Sequence, residues 1–121
     1  MERVKKEISL KTNDGLKIKI DSGFACSGEV EINLFEMASG TDCNLARVNL
    51  EDGERTISVF LDEHINNYIV SGFGKASPLP GKTETRVMVT LYDNDEEIDK
   101  FDLKENMFKF ILVLKEKKEE K

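Results

Sequence analysis

The residues best suited to chemistry fall into a few groups, and the densest is Asp93-Asn94-Asp95-Glu96-Glu97 with Asp99. Calcium takes several hard oxygen ligands, carboxylates above all, from loops that can fold around it. Asp93, Asp95, Glu97 and Asp99 are therefore the candidate calcium ligands, and a calcium-dependent binding or adhesion domain is one functional expectation. The stretch lacks the internal glycine of an EF-hand. As a plain hairpin turn, its acids would instead discourage edge-to-edge sheet pairing. The single histidine, His64, sits in Asp62-Glu63-His64-Ile65-Asn66-Asn67. A general base needs a nucleophile and an orienting acid converging on it. Cys26, Cys43, Ser58 and Ser71 offer nucleophilic atoms, but no spacing selects one. No catalytic residue is assigned, and the expectation is a protein that is not an enzyme.

Gly72-Phe73-Gly74-Lys75 followed by Ser77 has a phosphate-loop flavour. It lacks the earlier glycine, the hydroxyl directly after the lysine and the following helix that the phosphate cradle requires. Lys17, Lys19, Arg47 and Arg55, with Phe24, Phe35, Tyr68 and Phe73, supply the cations and rings of a single-strand nucleic-acid groove. Against that stands the balance of 18 Lys+Arg and 24 Asp+Glu, a net charge of −6, which repels a phosphate backbone at long range. Two cysteines and one histidine cannot complete an ordinary four-ligand zinc site. Cys26 and Cys43 lie in similar Gly/Ser/Asp-rich segments; two unpaired thiols are expected, with a disulfide as the alternative. Apart from the calcium candidates, no cofactor is implied.

These side chains must be held by strands. Val87, Val89 and Leu91 alternate with Met88, Thr90 and Tyr92, the period of two that marks a strand with one face on a core. The run stops at Asp93–Glu96, whose side chains favour a turn, and Ile98 and Phe101 begin a return strand. The same alternation recurs over Ile8–Thr12, Leu16–Ile20, Val30–Phe35, Leu45–Leu50, Thr56–Asp62 and Tyr68–Phe73. Asn13-Asp14-Gly15 and Glu51-Asp52-Gly53-Glu54 carry the Asp-Gly signal of hairpin turns and predict two more hairpins. Val4 and Ile8, at i,i+4, leave a short N-terminal helix open. Gly72 and Gly74 predict a bulge or a close backbone approach, and Ser77–Gly81, with two prolines, a rigid loop. Met107–Leu114 is apolar on both faces at its end, which places it in the middle of a sheet or at an interface between chains.

Eight or nine short strands with turn signals every eight to twelve residues predict an all-β fold. The expected form is a two-sheet antiparallel β-sandwich, immunoglobulin-like in architecture, with a small β-barrel as the alternative. No tryptophan is present, and the Cys26–Cys43 spacing is too short for an inter-sheet bridge. One domain is expected over 1–114, with a charged C-terminal tail over 115–121. The opening residues lack the apolar core of a secretory signal and no run reaches membrane-spanning length, so cytoplasmic synthesis and no membrane partner are expected.

Phe35, Phe60, Phe73 and Tyr92 fall opposite the apparent core positions. Gathered on one sheet face they would form an apolar patch of the kind that marks an interaction surface. With Phe108 and Phe110 of the last strand they are the candidate partner-binding residues. The leading expectation is a non-enzymatic protein–protein interaction module: a structural or accessory subunit of a larger assembly, such as a virion decoration or adaptor protein, or a docking inhibitor. Its partner would be another protein or a second copy, with nucleic acid disfavoured.

Overall fold

The alternation read from the sequence is realised as nine strands. The computed structural model describes residues 1–118. They form β1 (Glu2–Leu10), β2 (Leu16–Asp21), β3 (Cys26–Glu36), β4 (Thr41–Asn49), β5 (Glu54–Ser58), β6 (Tyr68–Pro78), β7 (Val87–Asp93), β8 (Glu96–Leu103) and β9 (Met107–Glu116). A 3-10 turn, Leu50–Asp52, follows β4, and another, Ile65–Asn67, precedes β6. Five strands make one sheet in the order β1-β9-β6-β3-β4, and four make the other, β5-β2-β7-β8. Every pairing is antiparallel except β1 with β9. The two sheets pack face to face and neither closes, so the fold is the expected β-sandwich and not the barrel.

One side of each strand fills the space between the sheets. Leu16, Ile18 and Ile20 of β2 and Val87, Val89 and Leu91 of β7 meet Val30 and Ile32 of β3, Val70 of β6 and Phe108, Phe110, Leu112 and Leu114 of β9. The largest of these are Phe108 and Phe110, both fully buried. They lie opposite Gly74 and Gly72 in the register, and a Cβ on either glycine would overlap the facing ring. The close approach predicted from those glycines is thus the seating of two rings on bare backbone. Phe110 also meets Phe101 of the opposite sheet edge-on, with ring centroids 5.6 Å apart, an arrangement favoured by the ring quadrupoles. Strand β9 lies between β1 and β6, so the most apolar segment has a central place.

The β7–β8 hairpin forms as predicted. Asn94 and Asp95 take φ of 51° and 68°, the two left-handed residues of a type I′ turn, whose twist matches that of the flanking strands. Both Asp-Gly hairpins, however, are corrected. The Asn13–Gly15 segment carries the chain from the five-stranded sheet to the four-stranded one, and Leu50–Gly53 does the same between β4 and β5. Asn13 stabilises the first crossing by donating from Nδ2 to the carbonyls of Leu61 (2.9 Å) and Glu63 (2.6 Å). The N-terminal segment is strand and not helix, because β9 offers it a continuous parallel ladder from Glu2–Phe108 to Leu10–Glu116. That ladder also draws the first residues of the expected tail into β9, and Lys115 pairs with Glu7. Residues 119–121 lie outside the described residues.

Candidate functional site

The four calcium candidates do not gather. Asp93 continues the inward series of β7 and is buried; its Oδ2 accepts from the backbone N–H of Lys11 at 2.9 Å. Asp95 stands exposed at the turn, with Lys17 Nζ 2.6 Å from its Oδ1. Glu97 lies on the outward side of β8 opposite Tyr92, and Asp99 points to the β1 edge, 3.8 Å from Lys6 Nζ. A bulge at Ile98 puts Glu97 and Asp99 out of step, since Tyr92 pairs with Glu97 and Leu91 with Asp99. Among the described residues no three His, Cys, Asp or Glu side chains form a group able to hold a metal ion.

Both ring nitrogens of His64 are engaged. Nδ1 accepts from Asn66 N–H at 3.4 Å, capping the 3-10 turn, and Nε2 lies 3.1 Å from Glu116. The thiols are free and far apart in character: Cys26 is buried at the start of β3, Cys43 exposed on the edge strand β4. The cations and rings of the nucleic-acid reading are dispersed. Lys17 and Lys19 sit on the outside of the four-stranded sheet against Asp95 and Glu54. Arg47 is on β4 beside Glu31, and Arg55 donates to the Arg47 carbonyl. Tyr68 is buried, with its hydroxyl accepting from Glu63 N–H at 2.9 Å. An open groove lined by Thr83, Glu84, Arg86, Asp102 and Lys104 is polar, and its central charges are spent on each other, Arg86 lying 2.8 Å from Asp102.

The aromatic candidates divide between several places. Phe108 and Phe110 fill the core and are not surface residues. Phe60 is exposed in the connection after β5, and Tyr92 lies on the outside of the four-stranded sheet between Lys17 and Glu97. Phe35 and Phe73 share the outer face of the five-stranded sheet, on β3 and β6. The strand register gives them apolar neighbours that strand-by-strand reading does not. Phe35, Ile69 and Val113 form one continuous row across β3, β6 and β9. Ile111 lies in the next row beside Ser71, and Phe73, still 37% exposed, in the row after that. Ile69, Ile111 and Val113 are the residues missed; their signal is the loss of alternation at the end of β9, where Ile111 and Val113 stand among inward Phe110, Leu112 and Leu114.

The other outer face contrasts with it. Its rows read Ser58-Lys17-Tyr92-Glu97, Thr56-Lys19-Thr90-Lys100 and Glu54-Asp21-Met88-Asp102, with a charged residue of the central strand β2 in every row. The sandwich therefore has one wet face and one with an apolar centre.

No family model matches the chain, and no curated protein matches it. Among solved structures it is similar to the crystal structure of a domain of unknown function, DUF4425, from Bacteroides vulgatus ATCC 8482. The identity is 16% and the TM-score 0.43, over 84% of this chain and 94% of that one.

Proposed function

We propose that this protein is a non-enzymatic binding module whose contact surface is the outer face of the five-stranded sheet. The observation that carries the reading is the contiguous apolar centre formed by Phe35, Ile69, Val113, Ile111 and Phe73, set against the charged outer face of the other sheet. Exposed apolar groups scattered singly need no explanation, whereas a contiguous patch with a polar rim marks a surface that another molecule covers. Covering it removes apolar area from water at roughly 25 cal/mol per Å². Edge pairing is the weaker route. The edge strands β1 and β8 carry Arg3, Lys5, Glu7 and Glu96, Glu97, Lys100, and β4 is bulged at Leu45, all features that oppose strand addition.

The test is a photo-reactive phenylalanine analogue at position 73, compared with the same group at position 92 on the other face. Protein cross-links formed from 73 and not from 92, and suppressed by excess unmodified protein but not by excess Phe73→Glu, are expected. Equal labelling from both positions would sink the reading.

A further inference from the structure

We infer that the molecule covering this face is a second copy of the same chain, related by a two-fold axis running along the strands between β6 and β9. The inference rests on the reading of the face as a contact surface, and charge placement supplies the rest. On the outer face the β3 column carries Glu29 and Glu31, while the β1 column carries Arg3 and Lys5, with Lys109 beside them on β9, and further along Glu7, which Lys115 holds. Acid and base thus flank the apolar centre on opposite sides. Among the described residues Glu29, Arg3, Lys5 and Lys109 take part in no ion pair, and Glu31 only in a 3.9 Å contact with Arg47, itself well exposed.

Turning a copy about that axis keeps every row in step and exchanges β3 with β1 and β6 with β9. Glu31 shares its row with Phe73, Lys109 and Arg3, so the second copy's Arg3 arrives over Glu31 and Glu29, and its Lys5 beside Glu31. The same rotation sets Ile69 over Val113 and Ser71 over Ile111, and lays the Lys109 stem along the Phe73 ring. One operator therefore matches Ile69 with Val113 and Glu31 with Arg3 twice over, the self-complementarity an isologous interface demands, and the one acid it sets over an apolar residue, Glu7 over Phe35, is already held by Lys115. An unrelated partner would need only one of the two flanks matched to it.

The size of the face sets the strength. Four strands about 4.8 Å apart over about seven residues of roughly 3.3 Å each give a flat footprint of about 440 Å². That is smaller than the ~800 Å² per partner of a standard stable interface, so the dimer is weak and reversible, with a dissociation constant in the micromolar range or above.

The experiment is sedimentation velocity across a concentration series from micromolar to millimolar at low salt. The expected result is a monomer–dimer equilibrium that weakens as salt rises and is lost in Phe73→Lys, which removes the ring and sets a second cation against the facing Lys109. Arg3→Glu and Glu31→Arg should each weaken it at least tenfold, and the double exchange in one chain should restore it. All three positions are at the surface or half-exposed, and circular dichroism verifies that each variant is folded. Dimerisation unchanged by Phe73→Lys, or a double exchange no better than the singles, overturns the inference. A strict monomer that still cross-links to a different protein from position 73 overturns the second copy while leaving the contact face intact. A strict monomer with no cross-link from 73 overturns both.

Discussion

Asp93 is the only buried carboxylate among the described residues, and its surroundings are one-sided. Oδ2 accepts from Lys11 N–H, but Oδ1 faces the Thr12 and Asn94 side-chain oxygens around Gly15 and finds no protein donor. A buried acceptor lacking a donor costs about 1–3 kcal/mol. An amide in its place keeps the acceptor for Lys11 and turns an N–H₂ toward the two oxygens. Asp93→Asn is therefore expected to be neutral or stabilising in urea unfolding, while Asp93→Ala, which strands the Lys11 N–H, loses about 2 kcal/mol. Burial of Asp93 was legible in the sequence, since it follows Val87, Val89 and Leu91 at intervals of two. The density of acids around it pointed to a surface ligand instead. The alternation was the better guide, because the pleat fixes side-chain direction before composition has any say.

The turns show how far local chemistry reaches. Asn94-Asp95 closes a true hairpin with two left-handed residues, a conformation that an aspartate tolerates and a glycine adopts freely. Asp95→Gly removes that cost of about 1 kcal/mol and also removes the Lys17 contact, whose carboxylate side is highly exposed and is worth only a few tenths. Glycine's greater freedom in the unfolded chain takes back part of the gain. The balance favours the glycine by about 0.5 kcal/mol, measurable as a raised urea midpoint at unchanged slope. The two Asp-Gly segments failed as hairpins for a different reason. Ile8 and Leu10 must face Leu16, Ile18 and Ile20 across the core, and that alternation is the same whether the strands lie side by side or in opposite sheets. The Asn13 bonds to the Leu61 and Glu63 carbonyls, contributed by a loop some fifty residues further on, select the crossing.

The molecule is closed by its two terminal strands. β1 runs parallel to β9, Glu2 accepts from the backbone N–H groups of Lys104 and Glu105, and Lys6 reaches Asp99 across the sandwich edge. Removing residues 1–7 would strip the charged edge strand from Met107–Leu114 and leave the most apolar strand with open backbone groups. Such a chain is expected to aggregate, seen as turbidity and high-mass species in light scattering at concentrations where the full chain stays clear. The pairing of the two ends also makes folding depend on contacts distant in sequence, which places refolding on the millisecond-to-second scale of all-β domains. By itself the sequence determined which residues point inward and which outward, because the two-residue period of a strand is a property of the local backbone. It therefore carried the fold class, much of the core and the outward direction of Phe35 and Phe73, but not the burial of Phe108 and Phe110, which it set among the partner-binding residues. Only the tertiary structure decided which strands are neighbours and in which sheet, since that depends on burial summed over the whole chain and on loops that either shape permits. The row Phe35-Ile69-Val113, and the acidic and basic columns beside it, come into being with that choice of neighbours.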